Sequence, residues 1–139
     1  MQRLSVIGTL IVVLIWGISS GVGAEDPEKQ KVVIELDEYS YHPSKIVLKA
    51  GVETELVLIN QGKYLHEFEA SYLNELETIV EMKGGMVATL GMAEVEVLPK
   101  NRVTLLFTPE KTGTFEFSCF AKDPEAHHKT GMKGTLIVE

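Results

Sequence analysis

The sequence predicts an all-β fold, a β-sandwich with a short helical insertion, and two observations lead to this prediction. Short runs rich in Val, Ile, Leu and Phe recur between residues 31 and 138, and turn-forming Gly, Pro and Asn separate them about every ten residues. A helical spacing of apolar residues is confined to residues 71–92. Many short strands joined by regular turns are typical of a sandwich or a barrel.

Seven runs are predicted as strands, and each is bounded by a turn signal. The run at residues 55–59 is almost continuously apolar, which favours a strand buried within a sheet. Proline follows two other runs, at Pro99 and Pro109, and Pro43 marks a turn after His42, because proline cannot donate a hydrogen bond to a sheet. The predicted strands are 31–37, 45–49, 55–59, 95–98, 103–107, 115–117 and 134–138.

The predicted helical insertion lies between these strands. Leu73, Leu76, Ile79 and Val80 are spaced for one or two helical turns, and the pair Gly84-Gly85 would end the helix. Residues 71–92 are therefore expected to form a short helix inserted into the order of strands.

The first 24 residues have the composition of a secretory signal. Arg3 precedes an apolar stretch, Leu4–Ile18, and small residues lead to a suitable cleavage site at Val22-Gly23-Ala24. The alternative is an uncleaved membrane anchor, but about 15 apolar residues are short for a span that needs about 20. We therefore expect a signal peptide at 1–24, a single domain at 25–139, a periplasmic or other extracytoplasmic location, and no stable membrane span after cleavage.

The charge and the cysteine count limit the possible partners and cross-links. The formal net charge is −7, and residues 1–24 contain Arg3 and no acidic residue, so loss of that one positive charge would leave −8. An acidic surface argues against nucleic-acid binding and favours a basic protein partner. Cys119 is the only cysteine and cannot form an internal disulfide. In an oxidising compartment a bound metal would protect it, and an inert buried thiol is the alternative.

The residues around Cys119 have the chemistry of a copper site. Cys119 ends an apolar run, His127, His128 and Met132 follow in the next loop, and His66 lies earlier in the chain. One thiolate, two imidazoles and a thioether form the ligand set of blue-copper electron-transfer sites. A lone histidine or methionine is more often a packing residue, but the joint order of these residues favours copper.

Three stretches of the chain resemble the cupredoxin family of blue-copper proteins. They are the proline, apolar run and Ala-Gly turn of Tyr41–Gly51, the Asn-x-Gly-x-x-x-His pattern of Asn60–His66, and Gly113–Val138 with its Phe-x-Phe-x-Cys and Gly-Met-x-Gly patterns. The resemblance covers nearly all of residues 25–139. It implies a Greek-key β-sandwich that holds one type 1 copper.

The same resemblance implies a role for each ligand. Cys119 would supply the thiolate, His66 and His127 the two imidazoles, and Met132 the weak axial thioether. One departure bears on these roles, since the seven residues between Cys119 and His127 form a longer spacing than in most small members of the family. The length leaves His128 as an alternative second imidazole, although the four residues between His127 and Met132 favour His127.

A second departure is Glu67, which stands where many relatives have an asparagine that hydrogen-bonds the thiolate sulfur. An ionised carboxylate accepts hydrogen bonds and cannot donate one. The sequence therefore leaves open which groups donate to the sulfur of Cys119.

These features predict an extracytoplasmic carrier of single electrons between redox partner proteins, and not an enzyme. Multicopper oxidases and nitrite reductases need further histidine clusters, and this chain has only four histidines. The alternative function is copper tolerance or copper handling, since Met82, Met86 and Met92 could offer thioethers to Cu(I). We expect instead that Met82 and Met86 pack against the end of the predicted helix and that Met92 packs at a strand end.

Overall fold

The structure, a computed structural model, describes residues 28–139. The predicted signal peptide at residues 1–24 lies outside the described residues. The described chain contains eleven strands and two short 3₁₀ helices, Ser71–Glu75 and His127–Thr130. Neither helix is long and apolar enough to cross a membrane. The strands are β1 Gln30–Asp37, β2 Ser40–His42, β3 Lys45–Leu48, β4 Thr54–Asn60, β5 His66–Glu69, β6 Glu77–Met82, β7 Gly85–Leu90, β8 Glu94–Val97, β9 Arg102–Phe107, β10 Gly113–Ser118 and β11 Lys133–Val138.

The strands form two sheets that pack face to face. The six-stranded sheet has the order β2-β1-β4-β9-β6-β7, and the five-stranded sheet has the order β3-β11-β10-β5-β8. The pairs β1–β4 and β3–β11 are parallel, and the other neighbouring strands are antiparallel. This arrangement confirms the predicted all-β sandwich, and each of the seven predicted strands lies on an observed one.

The core lies between the sheets because alternate residues of each strand face inward. In β1 the inward residues Ile34 and Leu36 are fully buried, while the residue between them is exposed. The ring of Phe117 in β10 lies 4.9 Å from that of Phe68 in β5, measured between centroids. Gly134 on the neighbouring β11 makes room for the Phe117 ring, since a Cβ atom there would overlap it. This packing fixes the strands whose ends carry the candidate ligands.

Residues 71–92 are less helical than the sequence predicts. A single 3₁₀ turn covers Ser71–Glu75, and the segment continues as a hairpin of β6 and β7. Ile79 and Val80 lie on β6, so their predicted place on a helix is wrong. Their spacing suits a helix locally, but β6 pairs with β9, which is distant in sequence, and this pairing decides the structure. Gly84, with φ at 104°, allows the tight turn between the two strands.

The methionines of this segment also differ from the prediction. Met82 and Met86 lie at the tip of the hairpin and are 49% and 69% exposed. Their predicted packing against a helix end is therefore wrong. Met92 is buried, as expected of a packing residue.

Candidate metal centre

Three of the four predicted ligands lie where strands of the five-stranded sheet begin or end, and the fourth lies in a loop between two of these strands. His66 begins β5, Cys119 directly follows β10, and Met132 directly precedes β11. His127 begins the second 3₁₀ helix, within the loop between β10 and β11. All four residues are fully buried, so the folded chain encloses them.

Three of these side chains form a compact triangle of donor atoms. The Cys119 sulfur lies 3.2 Å from Nδ1 of His127 and 4.0 Å from Nδ1 of His66, and the two nitrogens are 3.2 Å apart. A triangle with these sides has a centre about 2.0 Å from each corner, close to the bonds of about 2.0–2.3 Å that protein imidazoles and thiolates make to zinc. The residues present therefore fit a single metal ion.

Hydrogen bonding orients His127 with its Nδ1 toward the triangle. Its Nε2 lies 3.1 Å from the carbonyl oxygen of Asp123, which can pair only with a nitrogen that bears a proton. The neutral ring then has its lone pair on Nδ1, the atom that faces Cys119. His66 also turns its Nδ1 inward. Burial and the neighbouring His127 lower the pKa of His66, which favours the neutral imidazole that a metal requires.

Cys119 lies in a setting that favours a metal-bound thiolate over a free one. Its sulfur accepts a hydrogen bond of 3.2 Å from the backbone N–H of Glu67. Burial nevertheless raises the pKa of the Cys119 thiol, so without a cation the proton stays on the sulfur. A metal cation held here would supply the positive charge that the buried thiolate needs, and its binding would release the thiol proton.

Glu67 donates to the sulfur through its backbone N–H and not through its side chain. The Glu67 carboxylate instead accepts a hydrogen bond of 3.2 Å from the backbone N–H of Phe120. Its carbonyl oxygen accepts one of 2.5 Å from the hydroxyl of Tyr41. Glu67 therefore ties the strand that carries His66 to the chain that follows Cys119.

The seven residues between Cys119 and His127 form a loop, and one backbone hydrogen bond holds the two ends of this loop together. The N–H of His127 donates to the carbonyl oxygen of Ala121 at 3.0 Å, while residues 122–125 are exposed. The extra residues thus extend outward from the site. Cys119 and His127 come together despite the seven residues between them.

Backbone hydrogen bonds also hold Met132 next to the triangle. Its N–H donates to the carbonyl oxygen of His127 at 3.1 Å, and its own carbonyl oxygen accepts the N–H of Cys119 at 3.2 Å. Gly131, with φ at 101°, lets the chain turn from the 3₁₀ helix into β11. The structure thus joins the backbone of Met132 to that of two other predicted ligands.

The two remaining histidines lie outside the triangle. The ring of His128 packs against Phe120, with centroids 4.7 Å apart, and His42 is exposed. Of the two adjacent histidines in the loop, His127 is the one that the structure brings to Cys119.

Sequence reasoning misses Tyr39, which covers one side of the site. Its ring packs edge-on against His127, with centroids 5.1 Å apart and planes inclined by 71°. Tyr39 lies in the tight turn between β1 and β2 with φ at 68°, a left-handed conformation that is uncommon for tyrosine. No pattern in the sequence links this turn to the ligand loop.

One other group of metal-binding side chains occurs within residues 28–139. Glu67, Glu94 and Glu96 have carboxylate oxygens within 4.8 Å of one another, and the last two residues are exposed. The described residues contain no second cluster of histidines of the kind that a catalytic copper centre needs.

A β-sandwich that encloses one cysteine and two histidines as metal donors, with a buried methionine nearby, defines a small metalloprotein of the blue-copper class. The chain belongs to the cupredoxin family, since the family model for a cupredoxin-like domain matches residues 8–138. The cofactor of the site is one type 1 copper ion, whose affinity for thiolate and imidazole agrees with the donors present.

Solved structures of copper proteins share the fold. The reduced auracyanin of the photosynthetic bacterium Roseiflexus castenholzii is 19% identical, with a TM-score of 0.56 over 80% of this chain and 98% of that protein. Auracyanin B is also 19% identical, with a TM-score of 0.55 over 83% of this chain and 91% of that one. The copper nitrite reductase of Nitrosomonas europaea is 11% identical, with a TM-score of 0.62 over 86% of this chain and 52% of that one. At these identities the likeness concerns the fold alone, and no curated protein sequence matches the chain.

Proposed function

We propose that this chain carries single electrons between redox partner proteins in an extracytoplasmic compartment. The proposed copper ligands are His66, Cys119, His127 and Met132. The observation that carries the proposal is the buried triangle of the first three residues, whose donor atoms lie 3.2 to 4.0 Å apart in the folded protein. Copper bound there supplies a one-electron redox couple.

The fold supports this function because it fixes the donors through the backbone. His127 is held by the carbonyl oxygens of Ala121 and Asp123, and Met132 is held by hydrogen bonds to His127 and Cys119. These contacts do not depend on the charge of the site. The ligand positions therefore need little rearrangement when an electron enters or leaves, and such preorganisation favours fast transfer.

The charge and the N-terminal sequence support the proposed partner and location. The formal charge is −7, and opposite charge on a redox partner would speed the encounter. Residues 1–24 serve in this proposal as a cleaved export signal that leaves a cupredoxin domain at 25–139. The intact mass of the exported protein tests this step. The expected chain begins at Glu25, and retention of residues 1–24 would contradict cleavage.

Titration with Cu(II), followed by visible absorption and electron paramagnetic resonance, tests the copper function. We expect an intense orange-red band and a narrow copper hyperfine splitting, both lost on reduction and regained on reoxidation, with saturation at one copper per chain. Cys119→Ser should remove the band, whereas Ser118→Ala at the preceding buried position should keep it. A blue Cys119→Ser variant would refute the ligand assignment, and a colourless wild-type protein that binds only Cu(I) would refute electron transfer.

The competing function is copper tolerance or handling, and the arrangement of the methionines does not favour it. In the hairpin Met82 is opposite Gly85 and Met86 is opposite Glu81, so the two thioethers lie on opposite faces of the sheet. Met92 is buried. Met82 and Met86 border one depression at the hairpin tip, but Met92 lies at the other end of the hairpin, so the three thioethers do not form one Cu(I) site.

A titration with Cu(I) against a chelator distinguishes the two functions. An electron carrier should bind one Cu(I), and the stoichiometry should be the same in Met82→Leu and Met86→Leu. A second bound Cu(I) that either substitution removes would favour copper handling.

A further inference from the structure

The outer strand of the six-stranded sheet has an open edge. β7 is hydrogen-bonded to β6 on one side, and no described strand pairs with its other side. Met86, Val87 and Leu90 are 69%, 52% and 79% exposed. Met86 and Leu90 lie on one face of the sheet and Val87 lies on the other. Both faces of β7 are therefore exposed.

The other sheet edges carry features that discourage strand pairing, and β7 does not. β8 presents the exposed Glu94 and Glu96, β3 begins with the exposed Lys45 and is followed by Lys49, and β2 has only three residues. Residues 85–91 contain no charged residue and no proline. An uncharged, apolar edge strand is an open template for pairing with another strand.

We propose that β7 pairs antiparallel with β7 of a second copy of this chain, about a two-fold axis, to form a symmetric dimer. A pairing centred on Ala88 sets Met86 opposite Leu90 of the second copy on one face of the joined sheet. On the other face it sets Val87 opposite Thr89 of the second copy. The small side chain of Ala88 lies at the axis, so the strand matches itself without a steric conflict.

The charges at the two ends of the hairpin also fit a second copy. Within the hairpin, Glu77 begins β6 at one end and Lys83 lies in the turn at the other end. The other charged residues beside these two ends, Glu110 at the first and Lys100 and Arg102 at the second, lie on or next to β9, on the side of β6 away from the open edge. Antiparallel pairing brings the Lys83 end of each hairpin beside the Glu77 end of the other. Opposite charges then meet at both ends of the contact, with the uncharged strand between them.

The contact leaves the copper centre outside the interface. The proposed ligands lie at the ends of β5, β10 and β11 or in the loop between the last two, and all three strands belong to the other sheet. Dimer formation should therefore leave the blue absorption unchanged. The dimer does not depend on whether the protein transfers electrons.

Sedimentation equilibrium of the copper-loaded protein over a range of concentrations tests the dimer. We expect a concentration-dependent equilibrium between monomer and dimer. Ala88→Lys places like charges opposite each other at the axis and should raise the dissociation constant at least about tenfold, with the blue absorption retained as a sign of correct folding. Val47→Lys, on the exposed face of the edge strand β3, is the matched control and should leave the dissociation constant unchanged.

Reversal of the end charges tests the same contact without altering the strand. Lys83→Glu should weaken the dimer several-fold, and Glu77→Lys added to it should restore the affinity, because opposite charges meet again. A wild-type protein that stays monomeric up to about 1 mM would overturn the proposal. A dimer that Ala88→Lys does not weaken would overturn it as well.

Discussion

The copper centre and the β6–β7 hairpin differ in how tightly the rest of the molecule constrains them. At the centre the four proposed ligands are fully buried, and hydrogen bonds join distant segments, such as Glu67 to Cys119 and to Phe120. In the hairpin β7 is bonded only to β6, and Met86 and Leu90 are largely exposed. The protein therefore constrains the residues of the metal centre far more tightly than β7, whose outer edge is open among the described strands.

The same residue type has a different role at the two places. Met132 is fully buried, and its backbone is hydrogen-bonded to His127 and Cys119. Met86 exposes 69% of its surface and contributes no packing to the core. The surrounding chain holds Met132 in place as the proposed axial ligand and leaves Met86 unconstrained, so surroundings and not residue type distinguish the two regions.

Substitution of the two adjacent histidines in the ligand loop is expected to give the largest difference between two variants, measured as blue absorption. His127→Ala should abolish the blue absorption, because it removes one corner of the donor triangle. His128→Ala should leave the absorption unchanged, since His128 lies outside the triangle and packs on Phe120. Absorption spectra of the two variants after copper loading make the comparison. Loss of colour in His128→Ala alone would move the second imidazole to that residue.

A pair of leucine substitutions compares the core with the hairpin within one sheet. Leu105 on β9 is fully buried and Leu90 on β7 is 79% exposed. Leu105→Ala should lower the free energy of unfolding by about 2–5 kcal/mol because it leaves a cavity. Leu90→Ala should change it by less than about 0.5 kcal/mol. Urea unfolding at low protein concentration, where β7 is unpaired, measures both, and equal losses would show that β7 is packed as tightly as β9.

The three residues of the donor triangle could be predicted from the sequence because copper chemistry restricts the residue types. Few side chains offer a thiolate, an imidazole or a thioether, and their order in the chain matches the cupredoxin pattern. The spacing to Met132 favours His127 and leaves His128 open as the alternative. The structure brings His127 to the triangle through the hydrogen bond from its N–H to the carbonyl oxygen of Ala121, a contact that the sequence alone does not reveal. The contact between the Tyr39 ring and His127 could not be predicted either, because the two residues are far apart in the sequence and meet only in the folded chain.

The hairpin was predicted as a helix because its local pattern of apolar residues fits both a helix and a strand. Leu73, Leu76 and Ile79 have a helical spacing, yet only the first 3₁₀ turn forms. The pairing of Val80 with Leu105 on β9 buries Val80 in a sheet instead. Local spacing cannot reveal such a partner, whereas the strands of the core are apolar enough to be recognised alone.

A smaller effect, on the rate of copper release, is expected when Glu67 is substituted. This residue connects β5 to the chain after Cys119. Glu67→Ala removes the acceptor of the Phe120 N–H but keeps the backbone N–H that donates to the sulfur. The blue band should remain, and transfer of copper to a chelator should become roughly five to ten times faster, which corresponds to about 1 kcal/mol.

Two variants control for the loss of this hydrogen bond. Glu67→Gln keeps an oxygen acceptor and should release copper at nearly the wild-type rate. Glu96→Ala alters the exposed residue opposite Glu67 on β8 and should have little effect. If Glu67→Gln releases copper as fast as Glu67→Ala, the charge and not the hydrogen bond would be what retains the metal.

The smallest effect on copper release is expected at Tyr39. Its ring is expected to slow copper release, whereas its left-handed backbone is expected to lower the stability of the fold. The ring covers His127, and aromatic contacts of this kind contribute about 0.5–1.5 kcal/mol, so Tyr39→Ala should speed copper release a few-fold and Tyr39→Phe should not. The backbone has φ at 68°, which disfavours residues with a Cβ by roughly 1 kcal/mol. Tyr39→Gly should therefore release copper as fast as Tyr39→Ala while unfolding at a higher urea concentration. If Tyr39→Phe also releases copper rapidly, the hydroxyl and not the ring would be the group that closes the site, and the centre would depend on a polar contact at its surface.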